Sequence, residues 1–329
     1  MSAQLPTLLS SLTFLTFLMG PIFAIGLINR TKAIWAGRKG PNLDQFFFDL
    51  ARLLKKTPVY SETTSWIFQI APWVVLTTTV MAAAFAPIVP GFSLFSFPYD
   101  FVYFAYLMAM GRVFIILGAL DTGSSFEGMG ASREAGFSAL IEPALFFAIG
   151  TLAILSGNTS LETLTQAGAP GSAAAGYAIA SRFFIFFALF ILLQFEAARI
   201  PVDDPNTHLE LTMIHEVMIL DHSGPELAAV QYGSALKFVV LAGIMAALIN
   251  PIHGPIHGPI HGPVQDPENG LLSFAVSLLL IAAICVLIGL SESLMARFRL
   301  KTIPRYATLG VLAAVLGLAF ALLGNGGPL

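Results

Sequence analysis

The chain has 329 residues, of which 56% are hydrophobic and 11% are charged, and its formal net charge is −3. A soluble domain would carry about 25% charged residues, so this composition excludes an ordinary soluble protein and favours one that is embedded in lipid. No basic patch interleaved with aromatic residues suggests a nucleic-acid partner. The single cysteine, Cys285, excludes a disulfide or a cysteine-held iron–sulfur cluster within this chain.

Eight apolar runs are long enough to cross a membrane, since each has at least about 17 residues. They lie near residues 8–28, 67–88, 100–120, 135–155, 178–198, 228–250, 271–292 and 307–324. Backbone groups in hydrocarbon must satisfy one another, and the runs lack the short alternating pattern of a membrane barrel. The sequence therefore predicts an all-α, polytopic protein that forms a single membrane domain over residues 1–329.

The basic residues are distributed unevenly over the joins between these runs. Of the 16 Lys and Arg residues, 13 lie in the first, third, fifth and seventh joins, whereas the other joins and both tails contain none. Because positive charge is retained on the cytoplasmic side, this pattern predicts that the odd joins are cytoplasmic and that both termini lie outside the cell membrane.

Two joins have features of their own. In the first, the turn GRKGPN (residues 37–42) precedes a stretch with leucine and phenylalanine at helical spacing, which predicts an amphipathic interfacial helix over about 42–56. This helix could be a surface anchor or the lid of a cavity that opens on the bilayer. The outer join 251–270 contains a Pro-Ile-His-Gly repeat. Its histidines could hold a metal, but an unconstrained repeat loop explains them equally well.

Few ionisable residues enter the apolar runs, and such residues are functional candidates because isolated burial in lipid is costly. At 1.5 Å per residue, Arg112 and Glu142 lie about 12 Å, and Lys237 about 13 Å, from the cytoplasmic ends of their runs. This shared depth predicts a polar half-cavity that opens to the cytoplasm. Helical spacing gives depth but not azimuth, so a structural ion pair that locks two helices remains an alternative.

Residues 196–226 form the most acidic stretch, with seven carboxylates and one arginine. Repulsion between clustered carboxylates raises some of their pKa values, which suits groups that pass protons to one another. Interleaved apolar residues argue against a fully solvated loop, so we expect a buried proton relay. Its candidate members are Glu142, Glu196, Asp203, Glu210 and Glu216. Arg112, Lys237 and Arg199 are candidate ion-pair partners that favour the ionised carboxylates. His208, His215 and His222 recur every seven residues and could share a helix face, which would suit a zinc site or proton carriers, but we expect polar surface histidines.

Three motifs in order carry a resemblance to a known family: GRKGPN with the interfacial helix, GASRE before the run that bears Glu142, and FEAARIPVDDPNTHLELTMIHE. The chain resembles the complex I membrane subunit NADH dehydrogenase subunit 1. The third motif is closer to the counterpart in group 4 nickel–iron hydrogenases, of the formate hydrogenlyase subunit 4 and hydrogenase-4 component C type. The resemblance implies an eight-helix fold, with proton-path positions at Glu142, Glu196, Arg199, Asp203 and Glu210.

The resemblance also implies partners. Cytoplasmic loops would dock hydrophilic subunits that carry iron–sulfur clusters and a nickel–iron site, and antiporter-like membrane subunits would continue the proton path. Candidate docking residues are Arg38, Arg133, Asp204 and Asp221. The chain itself is expected to hold no cofactor, metal or catalytic residue.

Three alternatives to a proton-coupling hydrogenase subunit stay open. Quinone-reducing relatives take up quinone between the first span and the interfacial helix, but the sequence RIPVDDPNTHLEL departs from their version of the motif, which favours a proton-reducing partner. A self-contained secondary transporter would be expected to show paired broken helices in its two halves, and none is evident. A structural anchor would use the acidic stretch for docking only.

Overall fold

The computed structural model describes residues 4–165, 175–203, 212–252 and 267–324. Over these ranges the chain folds into ten α-helices and one short 3₁₀ helix, Glu216–Ile219. The α-helices are α1 (Gln4–Trp35), α2 (Gln45–Leu54), α3 (Trp66–Phe85), α4 (Asp100–Asp121), α5 (Ser125–Ser156), α6 (Leu161–Leu164), α7 (Ala175–Glu196), α8 (Gly224–Ile249), α9 (Pro267–Leu294) and α10 (Ile303–Gly324).

Eight of these helices are long and apolar enough to cross a membrane, which confirms the predicted all-α polytopic architecture. Two of them extend further than their apolar runs. Helix α1 continues to Trp35, and α5 begins at Ser125 rather than near residue 135. The added turns are polar or glycine-rich, so they carry no hydropathy signal although they are helical. The second extension places Arg133 and Glu134 inside α5.

Helix α8 lies at the centre of the bundle. Its most apolar stretch is 83% buried, against 33% to 56% for the other seven spans. It packs against α1, α3, α7 and α9, while α10 packs against α5 and α7, and α3 against α4. Small residues allow this close packing. A Cβ on Gly243 would come within 2.8 Å of Phe17 Cε1.

Helix α2 lies within the predicted interfacial range and packs against α1 and α8. Leu50 is buried on its inner face, whereas Phe47 and Phe48 are exposed on its outer face. Exposed phenylalanines of this kind can enter the apolar part of a bilayer when a helix lies at its surface.

The joins α1–α3, α4–α5, α7–α8 and α9–α10 meet at one end of the bundle, which we call the basic end. Cross-links at this end include a bond from Val59 N to Ser223 Oγ of 2.9 Å, between two joins, and one from Arg133 of α5 to the Met213 carbonyl of 2.7 Å. The join between α7 and α8 folds back over α5, because Gly130 leaves room for Val217. A Cβ at Gly130 would lie 2.3 Å from Val217 Cγ1. The join is thereby held over the first turns of α5, which the hydropathy pattern did not reveal.

Candidate functional site

Arg112 is the hub of a buried charged network in the interior of the bundle. Its two terminal nitrogens donate to Glu142 and Glu196, and its Nε lies 3.4 Å from Glu134 Oε1. The guanidinium is planar and has five N–H groups in a fixed fork, so a single arginine can contact three carboxylates from two other helices. These contacts link helices α4, α5 and α7 to one another.

The carboxylates of α5 are aligned by helical spacing. Glu134, Ser138 and Glu142 follow at intervals of four residues, which places them along one side of the helix. Ser138 Oγ donates to the Glu134 carbonyl oxygen at 2.7 Å, so the serine hydroxyl is satisfied within the helix and adds no unpaired donor to the network.

Helices α7 and α8 supply the other half of the network. Glu196 is the last residue of α7, and its Oε2 accepts from Lys237 Nζ of α8 at 3.3 Å. Both side chains are buried. Burial of separate charges is costly, and an ion pair with further hydrogen bonds offsets this cost. The network of Arg112, Glu134, Glu142, Glu196 and Lys237 is called the Arg112 cluster below.

Glu142 has a more open environment than the other carboxylates of the Arg112 cluster. Its side chain is 41% exposed, whereas those of Glu134 and Glu196 are each 9% exposed. A cavity of about 250 Å³ lies beside it, lined by Tyr106 and Phe146 among other largely apolar residues of α4, α5, α7 and α8. The Arg112 cluster is therefore accessible from a side of the bundle at the position of Glu142.

His215 connects the Arg112 cluster to the join between α7 and α8. Its Nδ1 lies 3.3 Å from Glu134 Oε2. Burial by itself lowers the pKa of His215, but attraction to the Glu134 carboxylate and the hydrogen bond with it outweigh burial, and the net pKa is raised. A small cavity of about 10 Å³ is lined by Glu134, Glu196, Asp203 and His215.

Asp203 fixes the backbone next to His215. Its Oδ2 accepts from Ile214 N at 3.0 Å and from His215 N at 2.8 Å, and its Oδ1 lies 2.9 Å from Arg297. Arg297 in turn donates to the Thr212 carbonyl. These contacts tie residue 203 to residues 212–215 and to the join between α9 and α10.

A second buried charged group links α1 to α9. Glu292 Oε2 lies 2.7 Å from Lys32 Nζ, and Glu292 Oε1 lies 3.6 Å from Arg199. The Arg199 guanidinium also lies 5.7 Å from the centroid of the Phe238 ring, within the range of a cation–π contact. Arg199 therefore belongs to this group rather than to the Arg112 cluster.

A third polar group lies at the basic end, where the join before α3 meets α8. Tyr60 Oη donates to Glu226 Oε1 at 2.5 Å, and this bond, followed by burial and by the charge of Glu226, raises the pKa of Tyr60 to about 12. The His222 ring stacks on Phe68 with centroids 3.9 Å apart. Burial lowers the pKa of His222 to about 4, so its 3.5 Å contact with Glu226 is made by a neutral ring at neutral pH.

The structure brings together four residues that the sequence suggested from depth and charge: Arg112, Glu142, Glu196 and Lys237. Asp203 and Arg199 lie nearby with the separate partners described above. Glu216 lies half-buried on the 3₁₀ helix. The candidates Asp204 and Glu210, together with His208 and most of the repeat loop 251–270, lie outside the described residues.

The three candidate docking residues that the structure describes have different surroundings. Arg38 and Asp221 are exposed at the basic end, and the Asp221 backbone N–H donates to Glu127 Oε1 at 3.1 Å. Arg133 is half-buried and donates to the Met213 carbonyl, so it fixes the join of its own chain.

One member of the site, Glu134, is not among the candidates that the sequence suggests, and the histidines of the acidic stretch differ from the expectation. Glu134 was assigned to a join because the apolar run begins after it, although the Glu134–Ser138–Glu142 spacing could have indicated a shared helical side. The histidines do not lie on one helix: His215 precedes the 3₁₀ helix and His222 follows it. The expectation of surface histidines is wrong for His222, which is 3% exposed. No feature of the sequence next to His222 indicates that its side chain is buried.

Comparisons with known proteins agree with this architecture. The family model described as NADH dehydrogenase matches residues 8–323. Hydrogenase-4 component C of Escherichia coli (strain K12) is 31% identical over 307 residues, which is 93% of each chain. Formate hydrogenlyase subunit 4 of the same strain is 27% identical and covers 89% of this chain and 91% of its own.

Two further comparisons have lower coverage or lower sequence identity. The H-type subunit of the NADH-quinone oxidoreductase of Bartonella bacilliformis is 27% identical over 210 residues, which cover 58% of this chain and 60% of that protein. A chain from the structure of the membrane-bound sulfane sulfur reductase, an archaeal respiratory membrane complex, shares the fold with a TM-score of 0.76 at 19% identity, and the alignment covers 96% and 99% of the two chains. The chain is therefore a multi-pass membrane protein of the NADH dehydrogenase family.

Proposed function

We propose that the chain is the proton-coupling membrane subunit of a redox-driven, ion-translocating complex, of the type found in group 4 nickel–iron hydrogenases. It would anchor the peripheral electron-transfer arm and link it to the membrane arm. The observation that carries this proposal is the Arg112 cluster, in which three carboxylates from two helices meet one guanidinium inside the bundle.

The geometry of the Arg112 cluster suits proton transfer better than a purely structural role. Carboxylates can gain and lose protons, and a single cation shared among three of them makes the protonation of each depend on the others. A structural lock between two helices needs only one matched pair. Here Glu142 shares Arg112 with two other acids and is also open to a cavity of about 250 Å³.

The exposure of Glu142 indicates where the proton path continues. Glu142 lies within the predicted span of α5, at a depth where lipid would leave a carboxylate poorly solvated. The side chains of Tyr106, which is amphipathic, and Phe146, which is apolar, lie beside it and are exposed. We infer that a second membrane protein of the complex covers this side of α4 and α5 and supplies a polar group to Glu142. Antiporter-like subunits are the partner class that the family resemblance suggests.

The basic end supplies the docking face for a peripheral arm. By the positive-inside rule we infer that this end is cytoplasmic and that both termini lie outside. Arg38 and Asp221 are exposed there, and Asp204 belongs to the same acidic stretch. The relatives named hydrogenase-4 component C and formate hydrogenlyase subunit 4 support a hydrogenase-type complex, and the family resemblance suggests that its hydrophilic subunits hold iron–sulfur clusters and a nickel–iron site.

A second candidate function is a quinone-binding subunit of a complex I type enzyme. A groove of about 420 Å³ between α1, α8 and α9 favours it, and the relatives from NADH-quinone oxidoreductases support it at lower coverage. The groove is lined almost entirely by apolar side chains, and the Thr16 hydroxyl in it already donates to the Leu12 carbonyl at 2.8 Å. It therefore suits an apolar tail better than a quinone ring, which needs hydrogen-bond donors.

The proton role is tested with Glu142→Gln in the purified whole complex, reconstituted in proteoliposomes. We expect assembly and redox turnover to persist while the number of protons moved per electron pair falls. Glu62→Gln is the matched control, because Glu62 is an exposed carboxylate in the join before α3. Proton transport by Glu142→Gln equal to that of the control would refute the role.

The partner type is tested by purification in mild detergent followed by metal analysis. A co-purifying hydrophilic protein that contains nickel and iron supports the hydrogenase assignment. An NADH-oxidising arm without nickel would move the assignment to the quinone-reducing alternative. Proton transport by the isolated chain would instead support a self-contained transporter.

A further inference from the structure

The Arg112 cluster contains more acids than permanent cations. Glu134, Glu142 and Glu196 are three carboxylates, and within the part of the chain that the structure describes their permanent cationic partners are Arg112 and Lys237. One negative charge would remain uncompensated in a buried environment if every acid were ionised and every base in its usual form. The Glu134 and Glu196 side chains are buried, whereas Glu142 is 41% exposed, so an uncompensated charge is unfavourable at the inner two acids and a proton on a neighbouring group stabilises them.

His215 is the titratable group placed to hold that proton. Its Nδ1 lies 3.3 Å from Glu134 Oε2 on the side of the Arg112 cluster that faces the basic end. Among the described residues, the charged groups around it are Glu134 from α5, Lys237 from α8 and Asp203 from the join, with Arg297 beyond Asp203. Burial and the charge of Lys237 oppose the imidazolium, whereas the Glu134 and Asp203 carboxylates favour it and outweigh them, so the net pKa of His215 is raised.

Arg112 cannot carry a proton between the acids that it joins, because a guanidinium does not release its protons in proteins. A second connection between Glu134 and Glu196 is available. The cavity of about 10 Å³ that both residues line, together with His215 and Asp203, has room for about one water molecule. A water there would have polar partners on several sides and could pass a proton around the arginine.

We propose that His215 is the residue that loads protons from the basic end into the Arg112 cluster by way of Glu134. The neutral ring takes up a proton at Nε2 and becomes an imidazolium. It then gives the proton on Nδ1 to Glu134 Oε2 and returns to the neutral form, so that one proton has crossed the ring and no electron has moved. This inference rests on the proposed proton-coupling function and names the point where that function begins.

The position of His215 depends on the join rather than on a membrane helix. Asp203 holds the backbone N–H groups of Ile214 and His215, and Arg297 holds Asp203 and the Thr212 carbonyl. A partner that shifts this join at the basic end would change the distance from His215 to Glu134. Proton loading would thereby respond to events in the peripheral arm, which is the coupling that the complex requires.

The test uses the whole complex in proteoliposomes, with reduced methyl viologen as electron donor and a pH-sensitive dye as the readout of proton uptake. His215→Gln retains a hydrogen-bonding amide but does not titrate. We expect proton uptake slower by about 10²-fold, loss of its dependence on pH near neutrality, and little change in electron transfer. Added imidazole should restore uptake in His215→Ala, which a merely structural role would not produce.

Two further variants make the result decisive. His222→Phe changes the other described histidine of the join and should keep the wild-type pH profile. Glu134→Gln should slow uptake as His215→Gln does, and the double variant should be no slower than either, because both residues act in one step. Wild-type uptake and pH profile in His215→Gln would overturn the inference. If Glu142→Gln still abolishes transport in that case, the proposed function stands without this loading step.

Discussion

Replacing Arg112 with methionine removes the one cation that three carboxylates share. Methionine has a similar volume and is flexible, so the substitution leaves little empty space. Glu196 retains Lys237 at 3.3 Å, but Glu134 and Glu142 lose their contact with a permanent cation. The Arg112 side chain is 7% exposed, so water does not replace it readily.

The size of the stability loss follows from the burial of Arg112 and its carboxylate partners. Removing one partner of a buried ion pair costs about 3–5 kcal/mol, because it leaves an uncompensated charge. The shift in midpoint temperature would be roughly 5–10 °C at a few degrees per kcal/mol. Arg112→Lys should show an intermediate loss, because an ammonium keeps the charge but lacks the planar fork that reaches three acids.

The assay is thermal unfolding of the purified protein in mild detergent, followed by tryptophan fluorescence. Adding Glu134→Gln and Glu142→Gln to Arg112→Met should recover most of the lost stability, since the uncompensated charges are then absent. Arg182→Met is the control: Arg182 is an arginine of α7 outside the Arg112 cluster, so the same two glutamine substitutions should not rescue its variant. A loss below about 1 kcal/mol for Arg112→Met, or no rescue, would refute the charge argument.

Three further predictions concern the basic end. The pKa of His222 is lowered from 6.5 to about 4, so between these pH values the unfolded chain binds a proton that the folded chain does not. The free energy of unfolding should therefore fall by about 3 kcal/mol as the pH drops from 6.5 to 4. Denaturant titrations of His222→Phe should lack this loss. Gly130→Ala should destabilise by about 1–3 kcal/mol because its Cβ meets Val217, and Val217→Ala should relieve part of the clash in the double variant, since the contacts of 3.0 Å with Ile214 O and Met218 Cγ remain. Ultraviolet titration should show a lower pKa for Tyr60 in Glu226→Gln than the value of about 12 in the wild type, and an unchanged titration would contradict the Tyr60 contact.

Hydropathy and charge predicted most of the architecture because lipid imposes strong constraints on both. A span must be long and apolar, and its basic flanks stay on one side, so eight spans and their order follow from composition alone. The depth of a residue along a membrane helix can also be read from its position in the sequence. Arg112, Glu142 and Lys237 could therefore be grouped before their contacts were known.

Other features depend on information that is not local in sequence. The first turns of α5 project beyond the apolar run, so Glu134 had no hydropathy signal and was assigned to a join. The burial of His222 depends on Phe68, which lies more than 150 residues away in the chain. The rotation of each helix about its axis decides which acids face Arg112, and packing against neighbours sets that rotation.

The central claim is that acids of the Arg112 cluster change protonation when the complex is reduced. The most direct measurement is an infrared difference spectrum between the reduced and oxidised complex, recorded for the wild type and for Glu142→Gln. The account predicts a carboxyl C=O band that changes on reduction in the wild type and is lost or shifted in the variant. A difference spectrum without any carboxyl change, or one that is identical in Glu142→Gln, would contradict it.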